Sequence, residues 1–135
     1  GPDAAGAEET TNEEDEMAEL KDVLTEFTNV PGVNTACLVG RDGFLLDSIA
    51  ISGIDTEMIG AIASSGFGAS ESMGNQLGKG GFKMSMIEFD DGPVMLSPIG
   101  AEAFLVIVAE KEANLGMIRL KIKKHAQEIE NTAAI

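Results

Sequence analysis

The sequence predicts an α+β domain in which a five-stranded antiparallel sheet is covered by three helices. Three observations predict it. Apolar residues spaced three and four apart mark helices over Glu14–Thr28, Asp55–Leu77 and Asn114 to about residue 130. Five apolar or alternating runs, 33–39, 44–50, 82–89, 93–99 and 103–109, read as strands. Two pairs of these runs are joined through Asp42-Gly43 and Asp91-Gly92, and Asp-Gly is a hairpin signal that implies antiparallel pairing. The order is therefore α-β-β-α-β-β-β-α, with amphipathic helices available to cover the sheet.

The first helix carries Met17, Leu20, Val23, Leu24 and Phe27 along one face. Glu14, Asp15 and Glu16 suit the positive end of its dipole, and Asn29-Val30-Pro31-Gly32 stops it. Val33–Val39 and Phe44–Ala50 then flank Gly40-Arg41-Asp42-Gly43, and Ser52-Gly53 closes the second strand.

The central stretch Asp55–Leu77 has helical length and no proline, yet it holds Gly60, Gly66, Gly68 and Gly74 among many Ala and Ser. Each interior glycine costs a helix ~0.5–1 kcal/mol relative to alanine. That cost is recovered if the missing side chains let another backbone come close, so this helix reads as a flat packing platform. Asp55 or Thr56 caps it, and Met58, Ile59, Ile62, Ser65, Ala69 and Met73 lie along one side. Gly78-Lys79-Gly80-Gly81 releases the chain.

Phe82–Phe89 alternates Phe82, Met84 and Met86 with Lys83, Ser85 and Ile87, the pattern of a partly exposed strand. Pro93–Ile99 includes Pro98, which favours an edge or a bulge. Ala103–Ala109 is nearly all apolar and should be the most buried strand. Asn114 caps the last helix, whose stripe is Leu115, Ile118, Ile122 and Ile129, with Ala126 filling the gap.

Gly1-Pro2 has the look of a protease scar, and residues 3–16 hold seven acids, no base and no large apolar side chain. Such a stretch cannot offset its ordering entropy, so residues 1–16 are expected to be a disordered acidic tail. The folded domain is expected over 17–130, with 131–135 fraying. Formal net charge is −14; outside the tail, 16 acids face nine bases. That balance argues against a nucleic-acid partner and against attraction to anionic membrane. Arg119, Lys121, Lys123 and Lys124 nevertheless place a positive patch on the last helix, which reads as a solvated face or as the complement of an acidic partner.

The single cysteine, Cys37, lies in an apolar run, so it is expected to be a small buried hydrophobe in a reducing compartment. No apolar run reaches the ~18 residues of a membrane span, so the chain is expected to be cytoplasmic without membrane insertion.

The motifs of catalysis and cofactor binding are not met. His125 is the lone histidine and is expected on an exposed helix side among Lys123, Lys124 and Gln127. No His or Cys spacing fits a metal, and Asp90-Asp91 is explained by the turn before Gly92. Near Gly78-Lys79, Met73 stands where a phosphate loop needs its first glycine, and Gly80 stands where it needs a hydroxyl. Gly66-Phe67-Gly68 is followed by Glu71 where a dinucleotide fingerprint needs Gly or Ala. No catalytic residue, cofactor or metal is expected, and an independent enzyme is disfavoured. Trp and Tyr are absent, which removes the usual platform for stacking bases. Met58, Met73, Met84 and Met86 concentrate on the central helix and the strand after it; methionine fills cores and also suits adaptable protein-binding surfaces.

The ordered set Val30-Pro31-Gly32-Val33, Leu38-Val39-Gly40-Arg41-Asp42-Gly43, the small-residue central helix and Asn114-Leu115-Gly116-Met117-Ile118-Arg119 resembles the Roadblock (dynein light-chain type) family over about residues 17–130, especially prokaryotic members such as the gliding-motility polarity protein that acts on a Ras-like GTPase. The resemblance implies an α/β/α sandwich, with the first and last helices on one face of the sheet and the central helix on the other. It implies a homodimer in which the third strands pair across a two-fold axis and the central helices pack together. On this chain the dimer interface is expected at Gly60, Ser64, Ser65, Gly66, Met73, Lys83, Met84, Ser85, Met86 and Ile87, with Lys83 and Glu88 facing twins of opposite sign. The resemblance also implies regulation of a small Ras-like GTPase by docking and switch rearrangement, with contacts expected from Met58, Ile62, Phe67 and Glu71. No certain arginine finger is seen; Arg41 and Arg119 could each touch a partner. The alternatives are a non-catalytic scaffold and a small-ligand sensor domain.

Overall fold

The computed structural model describes the backbone of residues 2–51 and 53–135, and side chains from Glu14 onward apart from Ser52. Gly1 and Ser52, and with them part of the expected tag scar and of the Ser52-Gly53 stop, lie outside the described residues. The elements are α1 (Pro2–Thr28), β1 (Val33–Gly40), β2 (Leu45–Ala50), α2 (Thr56–Gln76), β3 (Ser85–Phe89), β4 (Gly92–Ile99), β5 (Ala103–Ala109) and α3 (Leu115–Thr132). The helical backbone of α1 begins at Pro2, upstream of the Glu14 start expected from the apolar pattern, and runs through the acidic stretch. Ala and Glu, which dominate that stretch, are strong helix formers.

All strand pairs are antiparallel and the sheet order is β2-β1-β5-β4-β3. As its apolar run requires, β5 is the central strand, and Phe104 to Ile107 are fully buried. The edge expected of β4 from Pro98 is not observed: β4 lies between β5 and β3. The proline is tolerated because β3 begins only at Ser85, opposite Leu96, so no strand faces Pro98 on that side.

Two cores sandwich the sheet. Leu20, Val23, Leu24 and Phe27 of α1 and Ile118, Ile122 and Ile129 of α3 pack on one face with Leu38, Met95, Leu105 and Ile107. Met17, expected on the same stripe, is exposed, at the rim of a hollow it shares with Leu20 and with Leu46 of β2. His125 corrects another expectation. It is buried within the stripe of α3, edge-on to Phe27 at 6.1 Å between ring centroids, with Nδ1 3.4 Å from Glu128 Oε2 and Nε2 without a partner among the described residues. Helical spacing places residue 125 between Ile122 and Ile129, which outweighs the polarity of its sequence neighbours.

On the other face Phe67 of α2 joins Cys37, Val39, Leu96, Phe104 and Val106. Desolvation there pushes the Cys37 thiol up to about 11, so it behaves as the inert hydrophobe expected. Asp55 and Asn114 cap α2 and α3 as predicted, accepting from the N–H of Met58 at 3.1 Å and of Met117 at 3.0 Å. Gly60 lets α2 come close to the first hairpin: a Cβ there would stand 3.4 Å from Val39 and from the Gly43 carbonyl. Gly92 is obligatory by conformation, with φ 122°, and the Ala109 carbonyl occupies the space that its Cβ would need.

Candidate functional site

The inward and outward sides of α2 differ in kind. Gly60 and Phe67 are buried against the sheet, flanked by half-buried Ile59, Ala63, Ser70 and Gly74. Outward, Met58 (58% exposed), Ile62 (64%), Met73 (62%) and Leu77 (64%) stand at the two ends of one stripe. Between them lie exposed Ser65, Gly66 and Ala69, so the stripe has bulky ends and a slim waist. This is the predicted small-residue stripe, less Ile59, which turns to the sheet. Four apolar side chains held in water on one helix face form a surface suited to a partner.

The second component is β3, at the sheet edge. Its register with β4 is uninterrupted from Ser85↔Leu96 to Phe89↔Gly92. Glu88 lies opposite Pro93, which has no N–H to give, so Glu88 and, by alternation, Met86 turn their backbone groups to the open side. Ile87 and Phe89 are exposed. Between the end of α2 and the start of β3 runs an apolar groove of about 440 Å³ with Met73, Leu77, Phe82 and Met84 on its walls and Lys79 and Lys83 at its rim.

The site residues named from sequence separate accordingly. Met58, Ile62, Ser65, Gly66, Met73 and Ile87 share the outward surface of α2 and β3. Gly60 does not; it faces β1, where its lack of a side chain serves packing inside the subunit. Ser64 is half-buried, its Oγ beside Gly43 in the hairpin turn. Phe67, expected to touch a partner, is 2% exposed and stacks on Phe104 at 4.5 Å, with Phe82 edge-on at 5.3 Å. Phe82 therefore sits on the α2 side of the sheet, while Met84 and Met86, expected to share its face, pack half-buried on the α1/α3 side. The alternation breaks because the strand begins at Ser85 and Phe82 precedes it. Lys83 is exposed ahead of the strand, so a Lys83–Glu88 contact between twins needs β3 to lengthen by two residues. Ser85 is half-buried.

Glu71, another expected partner contact, is occupied within the subunit. Its carboxylate grips Arg41 in a two-toothed pair, at 2.6 and 2.7 Å, and the guanidinium lies 5.2 Å from the centre of the Phe67 ring. Donating these hydrogen bonds to the Glu71 carboxylate raises the Arg41 pKa further. Both side chains are partly exposed, so solvent screening keeps this contribution small. The pair fastens the β1–β2 turn to α2, a contact across 30 residues that spacing could not reveal. Leu77 and Phe89 were missed from the site, although Leu77 follows Met73 by four and Phe89 follows Ile87 by two. Among the described residues, no group of three or more His, Cys, Asp and Glu is placed to hold a metal, and no helix is long and apolar enough to cross a membrane.

Comparison with known proteins agrees with this architecture. The Roadblock/LC7 domain model matches residues 19–109. The Methanocaldococcus jannaschii protein MJ0714 is 36% identical over 107 residues, 79% of this chain and 90% of its own length. Among solved structures, the gliding protein MglB of Thermus thermophilus superposes with a TM-score of 0.79 at 21% identity, covering 87% of this chain and 90% of that one. Myxococcus xanthus MglB gives 0.78 at 22% identity, covering 84% and 86%. By a family match across most of its length and by its helix-sheet-helix layering, the chain belongs to the Roadblock/LC7 domain family.

Proposed function

We propose that this chain is a homodimeric binding module that regulates a small Ras-like GTPase. One observation carries the reading: the outward stripe of α2 and the open edge of β3 adjoin, and both are uncovered in the single subunit. A two-fold pairing of β3 would continue the sheet and bring two α2 helices side by side, their slim waists allowing close approach. The likeness to MglB gliding proteins supports the GTPase as the partner of the resulting platform. Docking there would act on hydrolysis by reordering the switch loops of the GTPase.

The pairing of Arg41 with Glu71 favours a second reading, a scaffold that binds without accelerating turnover, since that arginine is held against its own subunit. One experiment separates the two. The protein is mixed with purified Ras-like GTPases from the same genome, and complex formation and GTP hydrolysis are followed together. Acceleration supports regulation, and binding alone supports the scaffold. If no such GTPase binds, or if Ile62→Glu leaves binding intact, the surface assignment is wrong.

A further inference from the structure

The outer face of α3 is chemically unlike the rest of the molecule. Its inner side is spent on the core through Ile118, Ile122, His125 and Ile129. Its outer side exposes Met117 (42%) and Leu120 (64%) next to Arg119, Lys123 and Lys124. Lys121 turns away to Glu26 of α1 at 3.1 Å, and among the described residues no carboxylate lies within 4 Å of Arg119, Lys123 or Lys124. A chain with a net charge of −14 and nine bases thus commits three unpaired cations, with two exposed apolar side chains, to one side of one helix. That side lies across the sheet from α2, so a partner here leaves the α2 surface free.

We propose that the outer face of α3 is a second docking surface, which takes an acidic amphipathic helix of a partner protein. A helix laid along α3 would place apolar residues three and four apart on Met117 and Leu120, and its flanking carboxylates would reach Arg119, Lys123 and Lys124. Charge decides between this occupant and a larger polyanion. Glu128 and Glu130 lie in the last turns of α3 itself and Glu112 lies just ahead of it, and the whole body is acidic. An extended anionic surface, membrane or nucleic acid, would meet all of those carboxylates together with the cations; one narrow helix crossing α3 over Met117–Lys124 meets chiefly the cations.

The full chain is titrated by fluorescence anisotropy with a labelled synthetic peptide of about 18 residues, with leucines three and four apart and glutamates elsewhere. Saturable binding is expected that weakens with salt. The Lys123→Glu/Lys124→Glu double variant and, separately, Leu120→Glu should each weaken it about tenfold or more. All three positions are exposed, and circular dichroism confirms that the variants keep the fold. Ile62→Glu on α2 should leave binding unchanged, which separates this result from the fate of the GTPase reading. Absence of peptide binding, or equal binding by the α3 variants, overturns the proposal. So does tighter, Lys123- and Lys124-dependent binding to phosphatidylserine vesicles, which would assign the face to a membrane surface.

Discussion

At one end of the sheet β2 carries its own stopper, and at the other end β3 carries none. Opposite the register shift between Leu38 and Val39, β2 bulges at Leu46, which bends its outer edge. Asp47 points toward the α1 face and accepts from Lys21. The same carboxylate accepts from the Ser48 N–H at 2.8 Å, while Lys21 Nζ reaches the Ser48 carbonyl at 3.4 Å. Helices also flank β2 on both faces. Each of these devices blunts an edge against a further strand. In β3 the register is regular, the outward backbone groups of Met86 and Glu88 have no such side-chain plug among the described residues, and Ile87 and Phe89 are exposed beside them. This contrast between a guarded edge and an open, apolar one is what the proposed pairing of β3 with a second copy rests on.

The largest effect is expected of Glu88→Pro. The position faces outward opposite Pro93, so the substitution removes a donor from the open side without touching the β3–β4 ladder. In a two-fold interface the loss counts twice, and self-association should weaken by roughly 100-fold, read by sedimentation across a dilution series. The melting temperature of the separated subunit should hardly move. Full self-association of this variant would show that β3 is not the joint. A smaller effect is expected at the waist of α2. Gly66→Trp puts a large side chain where a twin helix would approach, and about tenfold weaker association should follow. Little strain is expected inside the subunit, because a Cβ at Gly66 meets only Leu96 Cδ1, at 3.8 Å.

How much of this was legible in the sequence differs between elements. Order, hairpins, both helix caps and the central place of β5 follow from local signals: Asp-Gly turns, Asp55 and Asn114 at helix starts, and an unbroken apolar run. The α2 stripe was readable as a stripe, but its direction was not. Helical spacing says that Met58, Ile62 and Met73 share a side; only the sheet says that Phe67 and Gly60 own the opposite one. Phe67 reads as a partner contact in the sequence because a lone aromatic among small residues fits an exposed anchor as well as a core plug. The Arg41–Glu71 pair and the Lys21–Asp47 plug join residues 30 and 26 positions apart, beyond any spacing rule. His125 reads as exposed for the converse reason, since its neighbours in sequence are not its neighbours in space.

On the guarded edge, Asp47→Ala should have the smallest effect. The change removes the acceptor of the Ser48 N–H and frees Lys21. Lys21 is about half exposed, so the ion pair itself contributes little. Asp47 is largely buried, and its Oδ2 has no hydrogen-bond partner among the described residues, so part of its favourable bonding is already offset by desolvation. The net loss of stability should be about 1 kcal/mol, seen as a small fall in the denaturant midpoint with an unchanged slope. The more telling readout is association. With its plug gone, β2 presents Ser48 with bonding capacity to spare, and species larger than the wild-type assembly should appear at high protein concentration. Asp47→Asn keeps an acceptor for Ser48 and should suppress them. If Asp47→Ala loses stability but forms no larger species, the bulge at Leu46 and the flanking helices are sufficient guards, and the side-chain plug serves only to fasten β2 to α1.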